Sequence, residues 1–180
     1  MKENCKYLFL DRDGVINVRK MGGYITSYSE FEFIDGVKQA LAIFNKIFDR
    51  IFIITNQQGI GKGLFTQDDF NKLTLLMLND INESGGRIDK VYMCPFLKEE
   101  QSLMRKPSIG MGLKAKEDFP EVDFSQSIMV GDSNTDMIFG KNLGMYNVFI
   151  DNHTGEPYDE TIIHEKYDSL IQFANNIKTK

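Results

Sequence analysis

The stretch Tyr7-Leu8-Phe9-Leu10-Asp11-Arg12-Asp13-Gly14-Val15-Ile16-Asn17 decides how the chain is read. Its first four residues are apolar or aromatic and read as a buried strand. Two carboxylates follow at i and i+2, and Gly14 then lets the chain turn away. In an open α/β sheet, ligands bind just beyond the carboxyl ends of the strands. Asp11 is expected at such an end, with Asp13 in the loop past it. Two carboxylates this close repel each other unless a cation lies between them. A hard divalent ion such as Mg2+, which takes oxygen ligands, meets that need. Taken alone, the same residues also fit a strand that ends in a polar, Asp-rich turn.

Working outward, Val37, Leu41, Phe44 and Phe48 recur at helical spacing and predict a helix over 36–47. Ile51 to Thr55 is a second buried strand, parallel to the first because a helix separates them. It runs into Thr55-Asn56-Gln57-Gln58-Gly59-Ile60-Gly61-Lys62-Gly63, a small, polar, glycine-rich loop suited to an anion nest. Thr66 opens a helix with Asp69 as its capping-box partner. Phe70, Leu73, Met77 and Ile81 give that helix a buried stripe, and Gly85-Gly86 stops it. Further strands are expected over 88–93, 127–131 and 146–150, with helices over 109–118, after Asp136 and from Leu170. Past Asp151 the chain reads as loop until that last helix. Residues 14–35 lack a sustained period and read as an ordered flap overhanging the end of the first strand. The alternation specifies an α/β fold: a doubly wound, Rossmann-like parallel sheet in one domain over 1–180, without a separate cap domain.

Composition narrows the function classes. The 180 residues are 42% hydrophobic and 26% charged, enough for one domain with a real core. A net charge of −5 argues against nucleic acid as a general partner. No apolar run approaches the roughly 20 residues of a membrane helix, so no membrane partner is expected. Met1-Lys2-Glu3-Asn4-Cys5-Lys6 runs straight into the first strand and leaves no room for a signal peptide. Two cysteines, Cys5 and Cys94, make no disulfide framework, which points to a reducing cytoplasm.

Three strand ends carry polar chemistry: Asp11 with Asp13, Thr55 with Asn56, and Asp132 with Asp136. A parallel sheet brings all three to one edge. Arg105-Lys106 lies in a loop nearby in the chain order. These residue types suit phosphoryl transfer. An aspartate can attack phosphorus, a divalent ion cancels charge, and a lysine with an N–H-rich loop holds the phosphoryl oxygens. A second carboxylic acid can protonate the leaving oxygen and then deprotonate water.

At these residues the chain resembles the haloacid dehalogenase superfamily of phosphatases. Asp11-Arg12-Asp13-Gly14-Val15, Thr55-Asn56, Lys106 and Gly131-Asp132-Ser133-Asn134-Thr135-Asp136 resemble its four motifs, in its order. Gly23-Tyr24, Phe31-Glu32-Phe33, Gln57, Gly59-Ile60, Cys94-Pro95 and Arg105-Lys106-Pro107 are similar to the bacterial heptose 1,7-bisphosphate phosphatases, over roughly residues 6 to 151. Histidinol-phosphate phosphatases share much of the pattern. The resemblance implies Asp11 as nucleophile and Asp13 as general acid/base. It implies Mg2+ on the Asp11 carboxylate, the Asp13 carbonyl and Asp132. Asp136 would join that metal site or orient Lys106. Thr55, Asn56 and Lys106 would hold the transferring phosphoryl group. Asn17, Tyr24, Gln57, Lys62 and Arg105 are candidates for the rest of a small sugar phosphate, the expected partner of a monomer or weak oligomer.

Two departures stand out. The family's zinc loop has Cys-Pro-His and then Cys-x-Cys; here the positions are Cys94-Pro95-Phe96 and Ser102-Leu103-Met104. One cysteine does not hold structural zinc. No zinc is expected, and Phe96 and Met104 are expected to pack where ligands would stand. Ser133 replaces a basic residue common in the heptose enzymes. A helix-terminal acid is the plain alternative for Asp136. Surface histidine is the reading for His153 and His164, and small buried hydrophobe for Cys94. A non-catalytic phospho-receiver would share the sheet, the acids and a lysine, but Asp13 two residues past Asp11 argues for hydrolysis.

Overall fold

The computed structural model describes residues 5–153 and 155–178, without the side chain of Lys178. The segment Met1-Lys2-Glu3-Asn4, read above as too short for a leader, lies outside the described residues. The strands are β1 (Tyr7–Leu10), β2 (Arg50–Asn56), β3 (Lys90–Cys94), β4 (Ser127–Gly131), β5 (Tyr146–Ile150) and β6 (Glu165–Tyr167). Helices α1 (Val37–Phe44), α2 (Gln58–Gly61), α3 (Gln67–Glu83), α4 (Gly110–Asp118), α5 (Asn134–Leu143) and α6 (Leu170–Lys178) connect or follow them.

The strands form one parallel sheet in the order β3-β2-β1-β4-β5-β6. The chain winds outward from β1 in one direction, then returns to its other side with β4. The switch point therefore falls between β1 and β4, where a crevice opens at their carboxyl ends.

Both faces of the sheet are covered, so its central strands are apolar without alternation. On one face Leu8, Leu10, Ile51, Ile53, Ile128, Val130 and Val148 pack against Val37, Leu41 and Phe44 of α1, Met77 and Ile81 of α3, and Leu170 and Phe173 of α6. On the other face Phe9, Phe52, Ile54 and Met129 meet Met111 and Ala115 of α4 and Phe139 of α5. Each such fully buried Phe or Leu contributes about 1.5–3 kcal/mol of transfer free energy. This packing fixes the strand ends that carry the polar residues.

Local chemistry sets the helix boundaries. Thr66 accepts from the Asp69 N–H while Asp69 accepts from Thr66, completing the capping box ahead of α3. Phe70, Leu73, Met77 and Ile81 are its buried stripe, as the periodicity requires. Gly144 ends α5 at φ 73°, a left-handed conformation that glycine adopts freely. The flap is ordered. Asn17 bridges to Phe33, and the stacked rings of Tyr28 and Phe31 and the edge contact of Phe31 with Phe33 seat it on the core.

Two features differ from the sequence reading. The glycine-rich loop after β2 contains the short helix α2. Residues after Asp151 include β6, which adds a sixth strand by pairing with β5. At three residues, Glu-Lys-Tyr, β6 is too short and too charged to announce itself; it is an edge strand, where such composition is tolerated. Among the described residues no separate cap interrupts the sheet, and no helix is long and apolar enough to cross a membrane.

Candidate active site

β1 delivers Asp11 to the crevice, and Gly14 shapes the turn beyond it. Gly14 lies at φ 94°, and a Cβ built there would fall 1.9 Å from Asp132 Oδ2. Glycine is needed both for that backbone conformation and for the close approach of β1's loop to β4's.

Lys106 is the electrostatic centre. It is 3% exposed, and its Nζ lies 2.8 Å from Asp11 Oδ1, 2.6 Å from Asp136 Oδ1 and 2.7 Å from the Ile54 carbonyl, to which it donates. Three N–H groups thus meet three oxygens. Burial would push the ammonium down, but Asp11 and Asp136 outweigh it and raise its pKa. Asn56 fixes the backbone beneath. Its Nδ2 donates to the Lys106 carbonyl at 3.1 Å, and its Oδ1 accepts from the Lys106 N–H at 3.0 Å.

The carboxylates differ in environment. Burial pushes Asp11 up to about 6, with Asp136 adding repulsion and Lys106 opposing it. Asp132 rises to about 8, from burial and from Asp11 and Asp136. Asp13 goes the other way. Burial alone would raise it, but the Arg12 guanidinium and bonds from Asn17 and Gln57 hold it below the usual range. Arg12 Nη2 donates to both Asp13 oxygens, at 2.7 and 2.8 Å; Asn17 Nδ2 donates at 3.0 Å and Gln57 Nε2 at 2.8 Å. Gln57 also donates to Thr55 Oγ1 at 2.8 Å, tying the ends of β1 and β2 together.

Asp11, Asp132 and Asp136 each offer an oxygen within 4.8 Å of the others. Asp132 Oδ1 is buried with no hydrogen-bond partner, so it is open to a cation. The raised pKa values of Asp11 and Asp132 express burial first and mutual repulsion second, and a divalent ion offsets both. The residues therefore fit a hard cation with oxygen ligands. Asp136 is committed elsewhere as well: its Oδ1 faces Lys106, and its Oδ2 accepts from Ser133 N at 3.1 Å and Ser133 Oγ at 2.6 Å. It is both a helix-terminal acid and the partner of Lys106.

A cleft of about 950 Å³ opens over these groups, lined by the flap, α2 and the loop before α4. Arg19, Lys20, Lys62, Lys98, Arg105 and Lys106 line it, a cationic wall in a protein of net charge −5. Tyr24 is in the cleft, its hydroxyl accepting from Gln58 at 2.9 Å and Lys62 at 3.0 Å. Arg105 also lines it, bracing on the Phe96 carbonyl at 3.2 Å. Asn17 is placed differently from expectation. It is fully buried, with its amide directed at Asp13 and the Val18 carbonyl rather than into the cleft.

In the loop at the position of the family's zinc ligands, Cys94 is buried, with its thiol pKa raised chiefly by that burial. Met104 packs against the core, as expected. Phe96 does not: it is 44% exposed, and the loop is held instead by the Arg105 guanidinium on the Phe96 carbonyl and by the Gly110 N–H on the Leu103 carbonyl. His153 and His164 are exposed, the first beside Asp151 and the second accepting from the Asn147 N–H.

Two functional neighbours escaped the sequence reading. Arg12 is 1% exposed and grips Asp13; its position between two acids was the available signal. Asn152 Nδ2 donates to the Gly14 carbonyl at 2.6 Å and Asp132 Oδ2 at 3.1 Å, a contact across 138 residues that no local pattern reveals.

The parallel sheet, its switch point and this aspartate–lysine cluster define the class: a haloacid dehalogenase-like fold with its polar site where that fold places one. The family model described as polynucleotide kinase 3 phosphatase matches residues 6–180, and the chain belongs to that family. It is 38% identical over 175 residues to the D-glycero-alpha-D-manno-heptose-1,7-bisphosphate 7-phosphatase of Campylobacter jejuni, covering 97% of each chain. It is 37% identical to the D-glycero-beta-D-manno-heptose-1,7-bisphosphate 7-phosphatase of Vibrio cholerae, over 85% of this chain and 84% of that one. Among solved structures, it resembles the D,D-heptose 1,7-bisphosphate phosphatase of B. bronchiseptica complexed with magnesium and phosphate. The TM-score is 0.86 at 25% identity, covering 97% of this chain and 98% of that chain.

Proposed function

We propose that this chain is a Mg2+-dependent phosphatase that removes the C7 phosphate of D-glycero-D-manno-heptose 1,7-bisphosphate through an aspartyl-phosphate on Asp11. The observation that carries this reading is the Lys106 ammonium set between Asp11 and Asp136 beneath a cation-lined cleft. Two relatives of this identity bearing that name support the substrate. We read residues 1–180 as a single catalytic domain, working in the cytoplasm as a monomer or weak oligomer.

Asp11, the Asp13 carbonyl and Asp132 would hold the magnesium, with Asp136 serving chiefly to orient Lys106. When bound, that ion draws charge from the phosphoryl group and relieves the repulsion among the carboxylates. Lys106, Thr55 and the Asn56 N–H hold the phosphoryl oxygens. Asp11 attacks phosphorus, the bond from phosphorus to the sugar oxygen breaks, and that oxygen takes a proton from Asp13. Water then attacks phosphorus, Asp13 takes its proton, and the Asp11 carboxylate is released with inorganic phosphate. Arg12, Asn17 and Gln57 hold Asp13 in its ionised form, the form the second step needs. The proton must therefore be loaded onto Asp13 before the first step.

Stability should depend on pH and metal together. The folded pKa values of Asp11 and Asp132 lie at about 6 and about 8, above the ordinary 3.8. The folded state holds protons that the unfolded state gives up, so metal-free stability falls as pH rises from about 4 to about 8. Melting curves should show a fall of roughly 5–10 °C across that range, removed by saturating Mg2+. An equal slope with and without the ion would contradict this.

Arg105 is the residue we assign to the second phosphate, since a guanidinium fork matches its geometry. Arg105→Ala should raise KM for the bisphosphate by about 10-fold or more, while a monophosphate aryl ester is hydrolysed almost as before. Equal losses on both would place Arg105 elsewhere in the reaction. Side-by-side kcat/KM on the heptose bisphosphate, histidinol phosphate and an oligonucleotide 3′-phosphate tests the substrate. Preference for either of the last two would overturn it.

A further inference from the structure

We infer that Asn152 is a positioning residue for the metal site, holding Asp132 so that one chosen oxygen faces the ion. This rests on the reading of Asp11 and Asp132 as metal ligands. Asn152 lies two residues past β5, outside the two strand ends, of β1 and β4, that carry the acids. Its Nδ2 donates both to the Gly14 carbonyl, 2.6 Å away, and to Asp132 Oδ2, 3.1 Å away. Arg19 Nη1 approaches that same Oδ2 at 3.7 Å. One hydrogen-bond donor and one guanidinium thus face Oδ2, while Asp132 Oδ1 is buried and without a hydrogen-bond partner. A carboxylate with one oxygen hydrogen-bonded and the other bare is oriented for a cation on its bare side. Groups that hold a ligand in this way commonly govern metal affinity.

The packing leaves no slack. A Cβ on Gly14 would lie 1.9 Å from Asp132 Oδ2 and 3.0 Å from Asn152 Nδ2. The amide therefore fills a gap between the loops after β1, β4 and β5, and joins both loops that carry ligands. Losing it frees the Asp132 carboxyl to rotate and unties it from the Asp13-Gly14 turn, whose Asp13 carbonyl is the other ligand assigned above.

The test is calorimetric titration of metal-free protein with Mg2+, with no phosphate ester present, for wild type, Asn152→Ala, Asn152→Ser and the neighbouring control His153→Ala. The expected result is a Kd for Mg2+ about tenfold or more higher in Asn152→Ala and Asn152→Ser, with His153→Ala unchanged. In kinetics, the Mg2+ concentration giving half-maximal rate should rise by the same factor, while KM for the phosphate ester at saturating Mg2+ stays put. A folded Asn152→Ala that binds Mg2+ like wild type overturns the proposal, as does a fall in melting temperature or kcat with Kd unmoved. If Asn152→Ala does not fold, Asn152→Ser carries the same test. Wild type that binds no Mg2+ would overturn the metal reading itself, so the two failures are distinct.

Discussion

Asp11→Asn should abolish turnover, lowering kcat by about four orders of magnitude or more on every phosphate ester. The amide keeps the shape of the carboxylate but cannot attack phosphorus and weakens the hold on the metal. The same change should leave the metal-free protein at least as stable as wild type at pH 8. Asp11 is charged there against the pull of burial and of Asp136, and the amide removes that repulsion. Activity and stability thus move in opposite directions, as expected where a site stores electrostatic strain for use. Phosphate-release assays and melting curves on one preparation measure both. A variant with wild-type rate refutes the role of Asp11. A variant inactive because it is unfolded refutes the electrostatic account.

Lys106→Met should be costly in both respects. The ammonium is buried between two carboxylates and a carbonyl, and methionine supplies similar bulk without charge. Removing one member of a buried ionic cluster costs about 3–5 kcal/mol, because the remaining charges lose their compensation. For a chain of this size that is a fall of roughly 10 °C in Tm. Acid should restore part of it. Lys106 is what holds the raised pKa of Asp11 down, so without it that pKa rises further and protonation at low pH favours the folded form. Turnover should fall below detection even where the variant is folded, since nothing replaces the cation on the phosphoryl oxygens. A stable, active Lys106→Met would show that the cluster is ornamental.

Much of this site was legible in the sequence because a parallel sheet converts strand ends into neighbours. Asp11, Thr55 and Asp132 could be placed together from three apolar runs, and the resemblance supplied their roles. The stripe of α3 and its cap at Thr66 were equally plain, since period and capping chemistry are local. What stayed hidden depends on side-chain reach across long separations. Arg12 was given no role of its own, yet its guanidinium folds back onto Asp13. Asn17 read as a substrate contact, yet it is buried and spends its amide on Asp13, while Gln57 lines the cleft and also donates to Asp13. Asn152 lay in a stretch read as loop, and β6 gave only three polar or aromatic residues to recognise. Phe96 was expected to fill the space of a metal ligand, but hydrogen bonds hold that loop and leave the ring outside.

The central claim, covalent catalysis by Asp11, is tested most directly by acid quench during turnover. The metal-loaded enzyme is mixed with radiolabelled heptose bisphosphate, quenched within a single turnover, digested and mapped. The account predicts label on the peptide carrying Asp11, lost on a chase with unlabelled substrate and never formed by Asp11→Asn. Full turnover with no label on that peptide, or label on a different aspartate, would contradict it.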